Sequence, residues 1–142
     1  MIGYFDTSAF IPLLIDEPSS PVCGRLWNDA DTVVSSRLLY VEAAAALAQA
    51  LRLGRLTERQ HRSACRVFDL LWTDIDIIDA DERVVTRAAG IARTCGLRGY
   101  DAVHCASAER ISGEDVVVAS GDRKVLAACC ELGLATGNVN HA

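Results

Sequence analysis

A chain of 142 residues, 51% hydrophobic and 23% charged, carries enough apolar side chain to close one compact core and too much to stay disordered. Its formal net charge of -5 excludes nucleic-acid binding through overall field alone and leaves that role to a local basic patch. No apolar stretch reaches the roughly 18 residues of a membrane span, and no basic flank precedes an apolar block at the N-terminus, so a cytoplasmic protein is expected.

Apolar runs of strand length alternate with helical patterns, the sequence form of a parallel α/β sheet. Residues 2–5 predict the first strand. Pro18-Ser19-Ser20-Pro21 opens a helix that runs to about Asn28. Residues 32–35 form a short second strand, after which Ser35 or Ser36 caps a longer helix that stops at Gly54. Thr57 and Gln60 have the spacing of a capping box for a helix reaching about Trp72, and the short link at Gly54 makes these two helices a hairpin. Residues 75–78 predict a third strand. Asp79 or Asp81 then starts a helix ending at Gly96, and Asp101 opens another ending near Gly113. Residues 116–119 form a fourth strand, Asp122 opens the last helix, which ends at Gly133, and a weak fifth strand lies around 134–139. The first and fourth strands are apolar without alternation, as central strands covered on both faces are. The expected fold is α/β: a three-layer α/β/α single domain over residues 1–142, with a central, mainly parallel sheet of four or five strands and a protruding helical hairpin.

Six cysteines invite a disulfide reading that their setting does not support. None forms a Cys-x-x-Cys pair, and with three histidines they make no zinc-spaced cluster, so they read as small buried thiols.

Four carboxylates stand where folding alone gives little reason for them. Asp6 follows an apolar strand, Glu42 interrupts the run Tyr40-Val41…Ala43-Ala44, Asp101 opens a helix of small residues, and Asp122 follows Val116-Val117-Val118-Ala119. Carboxylates drawn into a protein interior need a partner or a metal. Ligands of parallel sheets bind beyond the carboxyl ends of the strands, where Asp6 and Asp122 fall; Asp115 lies at the opposite end. Glu42 is expected about two turns into its helix, and Asp101 near a helix N-terminus. Capping is the plain alternative for Asp6, Asp101 and Asp122, and a solvent-facing position is the alternative for Glu42.

Tyr4-Phe5-Asp6-Thr7-Ser8-Ala9, Tyr40-Val41-Glu42, Tyr100-Asp101-Ala102-Val103-His104-Cys105-Ala106-Ser107-Ala108 and Ala119-Ser120-Gly121-Asp122-Arg123-Lys124 together resemble the PIN domain, most of all the VapC-type toxins of bacterial toxin–antitoxin pairs. The resemblance runs from residue 2 to about 135. It implies a PIN-like fold and a magnesium- or manganese-dependent endoribonuclease, the toxin of a VapBC-type module. Asp6, Glu42, Asp101 and Asp122 match the family's catalytic acidic quartet. Asp6 and Asp101 are the implied direct metal ligands, with Glu42 and Asp122 binding directly or through water. Thr7 or Ser8 falls where the family places a hydroxyl near the metal waters, and Ser120 matches a position that is commonly Thr. The implied partners are a VapB-type antitoxin, an RNA substrate and a second copy of the chain. Alternatives are a PIN-fold nuclease of RNA processing or structured DNA, or a non-catalytic PIN-like binding module.

Arg55, Arg59, Arg62 and Arg66 are spaced four, three and four apart, which on one helix keeps the last three within roughly 40° of Arg55 and so on one face. They form either a solvated face or a ridge for phosphates or an acidic partner segment, to which Arg25, Arg98, Arg123 and Lys124 could add. His104 is expected to be a packed, hydrogen-bonded histidine, and Trp27 and Trp72 to close the core.

Overall fold

The computed structural model describes residues 1–113 and 115–140. Five strands, β1 (Ile2–Phe5), β2 (Thr32–Ser36), β3 (Ile75–Ile78), β4 (Val116–Ser120) and β5 (Ala135–Asn138), make one sheet in the order β3-β2-β1-β4-β5, with every neighbouring pair parallel. Successive strand residues point to opposite faces, so an uninterrupted apolar run feeds two cores. Tyr4, Val34 and Val118 enter one, and their neighbours Phe5, Val33 and Ala119 enter the other.

The first core is closed by α5 (Glu82–Cys95), α6 (Gly99–Arg110) and α7 (Arg123–Glu131), which contribute Val84, Ile91, Val103 and Val125 among others. The second is closed by α1 (Thr7–Phe10), α2 (Ser20–Asp29), α3 (Leu39–Arg52) and α4 (Glu58–Trp72), through Phe10, Cys23, Leu47 and Phe68. This is the three-layer α/β/α arrangement. In α6 every residue from Ala102 to Ala108 is buried, and the small side chains let a helix enclosed on all sides sit close to its neighbours. Trp27 packs edge-on against Phe5 at 5.7 Å between ring centroids and closes the second core, while Trp72 meets Tyr40 at 5.1 Å. No described helix is long and apolar enough to cross a membrane.

Most helix ends follow the sequence signals. Asp81, not Asp79, caps α5 by accepting from Val84 N at 2.9 Å, and Gly96 ends that helix in the left-handed region at φ 66°. Asp79 instead pairs with Arg37 at 2.7 Å. Two expected starts are displaced. Ser35 and Ser36 remain in β2, paired with Ile77 and Ile78, and their hydroxyls serve Phe5 O (2.6 Å) and Leu38 N (3.1 Å), so neither caps α3. Glu42 therefore lies in the first turn of α3 rather than two turns in. Asp101 likewise does not open α6, which starts at Gly99 behind Arg98 and ends at Arg110.

The capping box at α4 is complete: Gln60 N donates to Thr57 Oγ1 at 3.1 Å, and Thr57 N donates to Gln60 Oε1 at 2.9 Å. Thr57→Ala is expected to lower stability by about 1 kcal/mol. A urea midpoint equal to wild type would show that the box contributes nothing measurable.

Candidate active site

The strand order reverses between β1 and β4, since successive connections lead to β2 and β3 on one side and to β5 on the other. Such a reversal opens a crevice at the carboxyl ends of the two strands. Phe5 lies opposite Ala119 in the register, so the next residues, Asp6 and Ser120, meet at that crevice, and Asp6 N donates to Ala119 O at 3.3 Å.

Asp6 is only 3% exposed. Its Oδ1 accepts from Ser8 Oγ at 2.7 Å and from Ala9 N at 3.1 Å, which caps α1, and its Oδ2 accepts from Ser120 Oγ at 2.5 Å. Burial pushes its pKa up; the charge of His104, the two hydroxyls and the Ala9 N–H pull it back without cancelling the rise. None of its bonded partners carries a charge, so nothing in contact with it neutralises the ionised form.

Glu42 Oε1 takes two donors, Thr7 Oγ1 at 2.9 Å and His104 Nε2 at 2.7 Å. Burial raises the Glu42 pKa, but the hydrogen bond and charge of His104, with the Thr7 hydroxyl, outweigh it and hold the group below the ordinary range. A carboxylate only accepts, which assigns the hydrogen to His104 Nε2. The other ring nitrogen, Nδ1, lies 2.8 Å from the hydroxyl of Tyr4, a wholly buried phenol whose pKa burial drives well up. Tyr4, His104 and Glu42 thus form one chain from the core to the cleft.

Asp101, in the first turn of α6, has its Oδ2 3.3 Å from Arg98 Nε. Asp122 caps α7 with one oxygen, Oδ1, which accepts from Lys124 N at 2.8 Å and Val125 N at 3.3 Å. Its own N–H donates to Ser120 Oγ at 3.0 Å, and Gly121 N donates to Ser8 Oγ at 2.8 Å, so the turn after β4 is tied to the turn after β1.

All four carboxylates line one cleft of about 460 Å³, together with Thr7, Ser8 and His104. Capping and a place in the cleft are not exclusive, since Asp6 and Asp122 do both. Each acid sits at the start of a different helix. No three or more His, Cys, Asp or Glu side chains among the described residues stand close enough to form a ready-made metal-ligand cluster.

The arginine stripe lies elsewhere. Arg59, Arg62 and Arg66 are exposed on α4 and absent from the cleft wall, while Arg55 is not on that helix but in the link before it, since α4 starts only at Glu58, and it reaches the cleft wall only by pairing with Glu17 at 3.4 Å. Arg123 and Lys124 line an adjoining cavity with Arg98, Asp101 and Asp122. The six cysteines are free, and none lines the cleft. His104 is packed and hydrogen-bonded as expected, but sequence reasoning did not connect it to Glu42. Its spacing from Asp101, three residues along one helix and hence on the same side, was the available signal.

A PIN domain family model matches residues 3–129. The chain therefore belongs to the PIN-domain family. Within it, the chain is 41% identical over 122 residues to Ribonuclease VapC45 of Mycobacterium tuberculosis, an alignment covering 86% of this chain and 85% of the relative. Among solved structures, FitAcB from Neisseria gonorrhoeae matches with a TM-score of 0.74 at 22% identity over 100% of both chains. A toxin-antitoxin complex from Klebsiella pneumoniae matches with a TM-score of 0.64 at 16% identity, over 88% of this chain and 90% of that one.

Proposed function

We propose that this chain is a magnesium- or manganese-dependent endoribonuclease and the toxin of a VapBC-type module, acting as one ribonuclease domain over residues 1–142. The observation that carries the reading is the cleft that collects Asp6, Glu42, Asp101 and Asp122. The name of the relative, a VapC ribonuclease at 41% identity, supports RNA as the substrate, and the toxin–antitoxin complex among the structural neighbours supports a VapB-type antitoxin as partner. The exposed Tyr40 and Val41 at the start of α3, and Tyr100 on α6, offer apolar surface for that partner or for a second copy in a homodimer.

The donor set fits a hard dication. It is all oxygen, and Asp6 is buried in it with its ionisation opposed by desolvation. A cation that keeps several of its waters needs a few carboxylates in an open cleft and no cage. Asp6 and Asp101 are the residues to hold it directly, and Glu42 and Asp122 to hold it directly or through water. When bound, such an ion supplies an activated water for in-line attack on phosphorus and offsets charge on the phosphoryl and leaving oxygens. The chain's own residues set the geometry. Ser8, Ser120 and the Ala9 N–H fix both oxygens of Asp6, while Thr7 and His104 bond Oε1 of Glu42 and leave Oε2 without a hydrogen bond among the described residues. No nucleophilic side chain is required.

Purified protein is expected to cleave RNA with added magnesium or manganese, to lose at least about a hundredfold in rate in excess EDTA, and to recover when the ion is restored. Mapping of new 5′ ends after induced expression, with Asp6→Asn as control, identifies the target. Undiminished cleavage in EDTA would sink the metal-dependent reading.

A further inference from the structure

A cavity of about 420 Å³ adjoins the acidic cleft and shares three of its wall residues, Arg98, Asp101 and Asp122. Arg123, Lys124 and Gly96 make the rest of its wall. It lies where the N-terminal ends of α6 and α7 come together: Arg98 immediately precedes α6, and Arg123 and Lys124 open α7. Arg98 makes no side-chain cap to α6, and its side chain is 85% exposed, held only by the 3.3 Å contact to Asp101. Arg123 and Lys124 are exposed and make no ion pair among the described residues. Three cations therefore face one concavity, two of them uncommitted, beside a cleft of four carboxylates.

The cleft is unequal in charge. Away from this cavity its wall carries Glu17, whose contact with Arg55 already uses that cation, and the α4 arginines line neither cavity. An anionic strand entering the cleft thus meets available positive charge at one flank. Guanidinium groups match phosphate oxygens in a fork that an ammonium lacks, and positive helix ends add to the same field.

We propose that this cavity is an anion subsite that takes one backbone phosphate of the RNA strand, next to the phosphodiester in the acidic cleft, and so fixes the direction in which the strand lies. This rests on the ribonuclease reading above. A phosphodiester strand suits the pair of cavities because it repeats its charge along its length and can fill both at once. Their common wall, Asp101 and Asp122, is the boundary it would cross.

The test is fluorescence anisotropy of a short labelled oligouridylate, titrated over a range of salt against Asp6→Asn protein, which binds without turnover. In that background Arg98→Gln/Arg123→Gln/Lys124→Gln is compared with Arg59→Gln/Arg62→Gln/Arg66→Gln, which removes the same charge from the hairpin. The first set is expected to weaken binding about tenfold and to lower the log–log salt slope by about 0.7, the value for one phosphate contact on a single strand. The second is expected to change both far less. Equal losses from the two sets, or an unchanged affinity and slope in the first, would overturn the subsite, including where the first set impairs association with a protein partner. The altered side chains are exposed, and circular dichroism with the single variant Arg123→Gln guards against a folding artefact. Failure of wild-type protein to cleave any RNA with magnesium would remove the ribonuclease reading and is read independently of these affinities.

Discussion

Asn in place of Asp6 is expected to cut RNA cleavage by at least about a thousandfold while raising the thermal midpoint of the metal-free protein. The two effects have one cause. Asp6 is 3% exposed, and no bonded partner is charged, so its ionised form is disfavoured in the fold and its pKa is raised by desolvation. With the folded pKa above the unfolded value, its contribution to stability is full below the ordinary carboxylate range near 3.8 and is lost as pH rises through the folded value. The ionised form is thus a buried charge with no charged partner in contact, which Asn removes while its Oδ1 still accepts from Ser8 Oγ and Ala9 N and its amide turns a donor to Ser120 Oγ. A bound dication would do the same for the native residue. Magnesium should accordingly raise the midpoint of wild type and leave the variant nearly unmoved, and at magnesium well below saturation, where protons compete with the ion for Asp6, cleavage should fall on the acid side with an apparent pKa above that of a free aspartate. Scanning calorimetry with and without magnesium, run beside the cleavage assay, measures both. Wild-type cleavage by the variant, or an equal magnesium response in the two proteins, would contradict the role given to Asp6.

What the sequence made legible follows from where its signals are local. The central strands show as unbroken apolar runs because both faces of β1 and β4 are buried, and Thr57, Asp81 and Gly96 mark helix ends because capping involves residues a turn apart. The edge strand β5, Ala-Thr-Gly-Asn, carries almost no apolar signal, since only β4 pairs with it. Ser35 and Ser36 mislead for a related reason. Their hydroxyls look free for a cap, but the pairing of β2 with β3 continues through them and carries the chain on to Leu39. The four carboxylates stand out against apolar neighbours, so their strangeness is readable one at a time. Their common cleft depends on a strand order that reverses at β1 and β4, which no short window contains. The basic side chains show the same limit. Helical spacing puts Arg59, Arg62 and Arg66 on one face but wrongly adds Arg55, which precedes α4, and it cannot tell which cavity that face adjoins, whereas Arg98, Arg123 and Lys124 are brought together only by the packing of α6 beside α7.

Loss of the imidazole at position 104 is expected to weaken metal affinity by about 10- to 100-fold, with stability falling by about 1–3 kcal/mol. His104 touches neither the cleft's open volume alone nor the core alone. Its Nε2 bonds Glu42 Oε1 at 2.7 Å and lies 3.3 Å from Thr7 Oγ1, while its Nδ1 meets the Tyr4 hydroxyl at 2.8 Å. Ala at this site leaves the buried Tyr4 hydroxyl without that partner and lets Glu42 swing, so stability and geometry are lost together. Two further variants separate them. Tyr4→Phe removes the inner bond and leaves His104 Nε2 facing Glu42, and is expected to lose stability with a much smaller change in metal affinity. His104→Gln can still donate to Glu42, and should recover most of the affinity without recovering all of the stability. Manganese affinity followed by electron paramagnetic resonance and urea midpoints across the three variants read the two quantities apart. A strict proportion between lost stability and lost affinity in all three would make His104 a core residue only. An affinity loss in His104→Ala that His104→Gln restores and Tyr4→Phe lacks is the result expected of a side chain that holds Glu42 in place.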